Sequence, residues 1–307
     1  MRPAPLSLAR TLRQTLGMDL PFHLLNVFSI AGEPFSGNPL CVFPDASGLT
    51  DDEMLAWARQ FNLSETTFVT SVGDGEGLGD ADVRIFTPGH EMPFAGHPTL
   101  GTAQVVAALG GGLDAVHLTM PAGRIPVDRV DGGWRLAARP ATLREVTSSG
   151  VELADALGLD RTLVVRSGAS WVDAGVEQLL VRLDGVDAVR VCDPDAHLMA
   201  EHMTSPPRAP HVYAWAWTGP ETIEARLFYT QGQAVLEDPA TGSACANLGG
   251  WLVAQGARDV SIEVSQGAAV GRPSRLLLEI DTDGGVHVGG RVEDVGRGTC
   301  SLGAVGA

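Results

Sequence analysis

The sequence predicts an α+β fold assembled from two related halves. One phrase is written twice, as His97-Pro98-Thr99-Leu100-Gly101-Thr102-Ala103 and as Asp238-Pro239-Ala240-Thr241-Gly242-Ser243-Ala244. A similar lead-in precedes each copy, Arg84-Ile85-Phe86 and Arg226-Leu227-Phe228. Each half also carries many short apolar-alternating runs around one long helical pattern. That combination signals α+β architecture rather than βαβ winding.

From Phe22 to Phe43 the alternation predicts strands at 23–28 and 39–43 about a glycine-rich turn at 32–38. Thr50 with Glu53 three residues on is a capping box. A helix therefore runs from there to about Phe61, burying Met54, Leu55, Ala58 and Phe61. A strand at 66–71, an acidic glycine-rich loop at 73–80 and a strand at 83–86 follow. The loop has no basic residue, which argues against a phosphate cradle. The first phrase opens a helix at 99–109, closed by Gly110-Gly111-Gly112, with strands next at 115–120, 124–130 and 134–138. Residues 139–146 hold a proline and no clear period, and read as a crossover between domains.

The second half repeats the style. A helix is expected at 151–157, strands at 162–165 and 178–183, and a helix at 193–203. Pro206-Pro207 breaks the chain before strands at 211–217 and 224–229. The second phrase leads into a helix at 242–255, and strands at 261–265, 275–280 and 286–292 complete the set. The first lobe is thus expected at 21–138 and the second at 147–307, with the last strand able to return to the first lobe. Residues 1–20 stand apart. Arg2, Arg10 and Arg13 interleave with leucines but without the uninterrupted apolar core of a secretory signal. They are expected to be a disordered extension, or to precede a true start at Met18.

The balance of 21 Lys and Arg against 37 Asp and Glu, a net charge of −16, argues against nucleic acid, which demands clustered cations. It likewise gives no support for an anionic membrane surface. No apolar run approaches the roughly 20 residues of a membrane helix. Cys41, Cys192, Cys245 and Cys300 are scattered without a CxxC pair, as free thiols in a reducing, cytoplasmic compartment would be.

Each phrase places a proton-exchanging side chain beside a helix start, so His97 and Asp238 could share one cleft as acid and base. The first-turn N–H groups near Gly101 and Gly242, with the hydroxyls of Thr102 and Ser243, favour an anion such as a carboxylate. Negative charge developing beside it would be stabilised too. Read singly, these glycines also suit close helix-on-strand packing, and Asp238 also suits a helix-flanking cap. Glu65, in Ser64-Glu65-Thr66-Thr67-Phe68, is by spacing either a solvated loop carboxylate or a base in a partly dry site. Asn38, in Gly37-Asn38-Pro39, offers an amide for a substrate or for an Asn turn. There is no HExxH metal motif, no GxSxG elbow, and no cysteine in the repeated segments from His97 to Ala103 and from Asp238 to Ala244.

Together these segments resemble the phenazine-biosynthesis PhzF-like family, which has the diaminopimelate-epimerase fold. The likeness rests on Val27-Phe28, Gly37-Asn38-Pro39-Leu40, Ser64 to Phe68, Arg84-Ile85-Phe86-Thr87-Pro88, Ala95 to Gly101 and Glu237 to Ala244. Gln266-Gly267 and Gly271-Arg272-Pro273-Ser274 extend it, over about residues 22 to 296. The resemblance implies two pseudo-symmetric lobes, each a barrel-like, mostly antiparallel sheet around a central helix, with the site between them. It implies a cofactor-independent isomerase, without metal, acting on a small carboxylate-bearing metabolite, and a homodimer. It assigns the general base to Glu65. His97 and Asp238 would orient the substrate and assist proton transfer, and Gly96, Gly242 and Ser243 would supply donors. A racemase or epimerase of amino or hydroxy acids, and a non-catalytic small-molecule-binding protein, are the alternatives. The chain departs from the family pattern at Tyr229-Thr230-Gln231-Gly232 and at Cys245-Ala246-Asn247, close to the expected cleft, which leaves the substrate open.

Overall fold

The computed structural model describes residues 18–74 and 79–302, and shows a mixed α/β fold dominated by β-structure with few helices. In chain order come β1 (Met18–Ser29), β2 (Asn38–Phe43), α1 (Asp51–Phe61), β3 (Thr66–Val72), β4 (Asp80–Phe86) and β5 (Glu91–Met92). Next are α2 (Gly96–Leu109), β6 (Ala115–Met120), β7 (Gly123–Val130), β8 (Gly133–Ala137), β9 (Thr142–Arg144) and α3 (Gly150–Ala156). They are followed by β10 (Val164–Asp173), β11 (Glu177–Leu183), α4 (Val186–Arg190), α5 (Ala196–His202), β12 (His211–Gly219) and β13 (Thr222–Gln231). The last are β14 (Ala234–Asp238), α6 (Gly242–Ala254), β15 (Val260–Gln266), β16 (Ser274–Ile280) and β17 (Val286–Leu302). The chain divides into two compact units. Of the described residues, one comprises 18–26, 39–74, 79–128 and 292–302; the other comprises Val27–Asn38 and Arg129–Arg291.

In the first unit β2 runs parallel to β3, β3 antiparallel to β4, β4 antiparallel to β5 and parallel to β6, and β6 antiparallel to β7. Helix α1 starts at the expected capping box: Thr50 Oγ1 accepts from the Glu53 N–H, and Glu53 Oε2 accepts from the Thr50 N–H at 2.8 Å. It lays Met54 and Ala58 on a core with Leu20, Phe43, Phe68 and Phe86, in which the Phe43 and Phe68 rings stack at 5.0 Å. Leu55 and Phe61 pack on the same core while partly exposed. Helix α2 is apolar on nearly every side, so it has no solvent face and packs against β3 and β6.

The same pairings recur in the second unit. β11 is parallel to β12, β12 antiparallel to β13, β13 antiparallel to β14 and parallel to β15, and β15 antiparallel to β16. Helix α6 takes the place of α2, buried from Ala244 to Leu252 against β10, β11 and β16. The repeated lead-ins have the same cross-strand register, Phe86 opposite Glu91 and Phe228 opposite Glu237. Each arginine lies over the phenylalanine two residues on and grips that glutamate, with Nη2–Oε2 at 2.7 Å in both cases. Arg-x-Phe followed by Glu is therefore one cation–π and carboxylate clamp used twice. Additional strands flank this repeat, β9 beside β10, and β8 paired with β17. That last pairing groups residues 129–138 with the second unit.

Several expected elements differ. Met18 to Leu20 already belong to β1, while residues 1–17 of the expected extension, and 75–78 of the expected acidic loop, lie outside the described residues. The strand expected at 162–165 begins only at Val164, after a 3₁₀ turn at Arg161–Leu163, and continues as the ten-residue β10. An irregular register between Val164 and Ala169 explains the miss, because it breaks the period-two pattern. The helix expected at 193–203 is the shorter α5, capped by Asp195, and α4 precedes it separately. The proposed crossover contains β9, and β14 was not anticipated.

Candidate active site

Glu65 occupies the junction where α1 ends, at Asn62 in the left-handed conformation, and β3 begins. His97 is the second residue of α2, which starts at Gly96, not at Thr99; Pro98 is tolerated because the first helical turn needs no N–H there. His97 Nε2 stands 3.6 Å from Glu65 Oε2, beyond an ordinary hydrogen bond. Nε2 is buried and has no hydrogen-bond partner among the described residues. The hydrogen bond from His97 to the Pro39 carbonyl is therefore made by Nδ1. Burial pushes the imidazole pKa down to about 3, and the bond to Pro39 only partly opposes this. The ring is thus neutral at ordinary pH and turns a lone pair toward the Glu65 carboxyl group. A carboxylate and a lone pair facing each other leave a place for one proton between them.

The second group gathers around Asp238, the last residue of β14. Gly37 adopts φ +83°, and a Cβ there would come within 2.6 Å of the Val27 carbonyl, so only glycine suits this approach. Its carbonyl accepts from Arg272 Nε at 3.0 Å, and its N–H donates to the Pro273 carbonyl at 2.9 Å. Asn38, so placed, donates from Nδ2 to Asp238 Oδ1 at 3.1 Å and to the Ala240 carbonyl at 3.0 Å. The Thr241 hydroxyl donates to Asp238 Oδ2. Gln266 then locks the turn. Its Nε2 donates to the Asp238 carbonyl at 2.8 Å and to Thr241 Oγ1 at 3.0 Å, while its Oε1 accepts from the Thr241 N–H and the Tyr213 hydroxyl. Burial raises the Asp238 pKa to about 6 despite the donors Thr241 and Asn38, and the neighbouring Glu237 charge adds to the rise. A carboxyl group so held changes protonation near neutral pH.

The two central helices lack side-chain caps: the N-cap of α2 is Ala95, and that of α6 is Thr241, whose hydroxyl is engaged with Asp238 and Gln266. Helices α1, α3 and α5 are capped by Thr50, Ser149 and Asp195. The starts of α2 and α6, at Gly96 and Gly242, thus keep first-turn N–H groups that no side chain caps. One expectation is corrected here. Thr102 lies a full turn inside α2, buried, donating to the Pro98 carbonyl at 2.7 Å and sharing a hydrogen bond with Thr67 Oγ1 at 2.8 Å. It offers nothing to an anion. Ser243, at the second position of α6, does not have that fate.

Of the expected residues, Glu65, His97 and Gly96 thus lie in the first unit, the first two in contact range; Asn38, Asp238, Gly242 and Ser243 lie in the second, the first two hydrogen-bonded. Thr241, Gln266, Gln178 and Asn247 were not singled out as site residues, although Gln266-Gly267 belonged to a recognised segment. Gly267, at φ +80°, brings the end of β15 against the Pro239 backbone, and no other residue leaves room for that. Among the described residues no cluster of His, Cys, Asp and Glu is arranged to hold a metal ion, and no helix is long and apolar enough to cross a membrane.

Comparison with known proteins gives a consistent picture. The family model for phenazine biosynthesis-like proteins, PhzC-PhzF, matches residues 26–300. An uncharacterized isomerase of Pasteurella multocida is 36% identical over 278 residues, 90% of this chain and 92% of that protein. The trans-2,3-dihydro-3-hydroxyanthranilate isomerase of Pseudomonas aeruginosa is 35% identical over 273 residues, 83% of this chain and 89% of that one. In fold, the chain is similar to the phenazine biosynthesis protein of the PhzF family from Bacillus anthracis. The TM-score is 0.79 at 22% identity, over 93% of this chain and 100% of that one.

Proposed function

The chain belongs to the PhzC-PhzF family of phenazine biosynthesis-like proteins, and we propose that it isomerises a small carboxylate-bearing metabolite by moving a proton between carbons, without a cofactor. The isomerase class accords with the names of its relatives. The observation that carries the mechanism is the Glu65–His97 pair, a carboxyl group facing the lone pair of a neutral, buried imidazole at 3.6 Å. The ionised Glu65 takes a proton from a substrate C–H, the electron pair shifts along the adjoining double bond, and the protonated Glu65, whose acid proton exchanges with solvent, returns a proton to another carbon. Atoms and electrons balance, and Glu65 is regenerated. His97 Nε2 accepts a hydrogen bond from the protonated Glu65 and steadies it between the two steps.

Asp238 assists proton transfer and orients the substrate with Asn38. Gly96, Gly242 and Ser243 supply donors to the substrate carboxylate and to negative charge developing beside it. The reading requires both groups of residues to act on one substrate, and goes with two pseudo-symmetric lobes, each a barrel-like sheet around α2 or α6, in a cytoplasmic homodimer. The compound named for the Pseudomonas aeruginosa relative, trans-2,3-dihydro-3-hydroxyanthranilate, is the first to assay.

The test is solvent-deuterium incorporation into product. Glu65→Gln should lower it by about 10²–10⁴-fold, the usual share of a general base, with thermal unfolding unchanged. Undiminished incorporation in that variant would overturn the assignment. Inversion at a single carbon would instead select a racemase or epimerase, and ligand-induced stabilisation with no exchange would select a binding protein.

A further inference from the structure

Ser243 sits at the end of a chain of buried side-chain amides whose polarity the backbone dictates. In α6, one turn beyond Ser243, Asn247 accepts at Oδ1 from the Ala174 N–H at 2.8 Å. An N–H can only donate, so the Asn247 oxygen is fixed there and its Nδ2 must point the other way. That nitrogen donates to the Val176 carbonyl at 2.9 Å and to Gln178 Oε1 at 2.8 Å. With its oxygen occupied as acceptor, Gln178 presents Nε2 to Ser243 Oγ at 3.0 Å. Asn247 and Gln178 are 0% and 1% exposed, so no water competes for these bonds. The turn between β10 and β11, two backbone groups of a different segment, thereby sets the direction of every bond up to the serine.

The consequence lies in the hydroxyl hydrogen. A hydroxyl has one proton and accepts through its lone pairs. Ser243 already accepts from Gln178, and this is its one side-chain hydrogen bond among the described residues. Its counterpart in the first phrase, Thr102, gives its proton to the carbonyl four residues back, Pro98. Ser243 makes no such bond, so its proton is left for a ligand at the uncapped start of α6. We infer that Gln178 and Asn247 are positioning residues that aim the Ser243 hydroxyl proton at the ligand, so that this subsite favours a carboxylate over a group that must itself donate. Asn247 stands within one of the two segments where the sequence departs from the family pattern, and this gives that departure a task. The inference rests on the proposed carboxylate substrate.

Binding of 2-aminobenzoate and of 2-aminobenzamide to the full chain, measured by calorimetry, tests it without turnover. The wild type should prefer the carboxylate. Gln178→Glu keeps the shape but presents an acceptor to Ser243, turning the hydroxyl proton inward, and should reduce the carboxylate-over-amide preference by about tenfold or more, the scale of one charge-assisted hydrogen bond. Gln178→Met, which removes the bond without reversing it, should reduce the preference less. In a Ser243→Ala background, where only the charge that the substitution adds can act, Gln178→Glu should have a markedly smaller effect, whereas a merely structural loss would persist in full. An unchanged preference in Gln178→Glu, an equal effect with and without Ser243, or a wild type indifferent to the two probes would overturn the inference. Because Glu65 is intact throughout, a failed isomerase assignment shows as absent deuterium exchange with the binding preference retained.

Discussion

Asn38 Nδ2 donates to Asp238 Oδ1 at 3.1 Å across 200 residues of sequence. The bond joins the first residue of β2 to the last of β14, and with Thr241 it surrounds the Asp238 carboxyl group with donors. Burial nevertheless wins, and the group titrates near pH 6 instead of near 3.8.

The sign of the resulting pH dependence follows from that rise. A carboxyl group whose folded-state pKa is raised favours the folded state fully below about 3.8, and this contribution is lost as pH rises through about 6. Asp238→Asn removes the titration. Relative to wild type, its stability in urea melts should improve between pH 4 and 7 by an amount on the order of 3 kcal/mol. A difference that stays flat with pH would show that Asp238 does not titrate in this range.

His97 acts in the opposite direction. Its folded-state pKa lies below the ordinary 6.5, so its neutral form is compatible with folding above that value, and stability falls as pH drops from about 6.5 toward about 3. His97→Gln, which can still donate to the Pro39 carbonyl, should flatten this acid limb. Equal slopes for the two proteins between pH 6.5 and 4 would contradict the burial argument. Turnover should also fall in this variant, because Glu65 loses the imidazole lone pair.

The two arginine clamps should differ in strength although their sequences match. The Arg226 and Glu237 side chains are 14% and 7% exposed, whereas those of Arg84 and Glu91 are 26% and 31% exposed. Arg226→Ala strands a buried carboxylate and should cost about 3–5 kcal/mol. Arg84→Ala leaves Glu91 reachable by water and should cost about 1 kcal/mol or less. Equal losses in denaturant unfolding would mean that the clamps are not distinguished by burial.

Gly37→Ala and Gly111→Ala separate backbone strain from collision. Both glycines have φ near +84°, but a Cβ at Gly111 meets nothing within 4 Å while one at Gly37 approaches the Val27 carbonyl at 2.6 Å. Gly111→Ala should cost about 1 kcal/mol, and Gly37→Ala about 2–3 kcal/mol with loss of activity through displaced Asn38. Matching unfolding curves would remove the case for a steric requirement at Gly37.

Much of this protein could be read from local pattern. The capping box at Thr50, the apolar helices after each phrase, and the duplicated Arg-x-Phe lead-ins depend on residues within a few positions of one another, where helix and strand periodicity act directly. The same locality brought out Glu65, His97 and Asp238 as candidates, through the segments that carry them.

What the sequence could not contain is the pairing. Thr102 and Ser243 are equivalent in the repeated phrase, yet one lies a turn inside α2 while the other stands at the start of α6, because α2 begins before its histidine and α6 after its aspartate. Gln178 meets Ser243 across 65 residues and Asn247 across 69, and an isolated Gln or Asn carries no periodic signal of its partner. Strand register and burial choose those partners. The sequence by itself determined the elements, the duplication and the chemical groups; the tertiary structure alone decided which lone pair faces Glu65 and which hydroxyl proton is left for a substrate. Protonation and hydrogen-bond direction are set by desolvation and by contacts between distant segments, and neither is a local property of the chain.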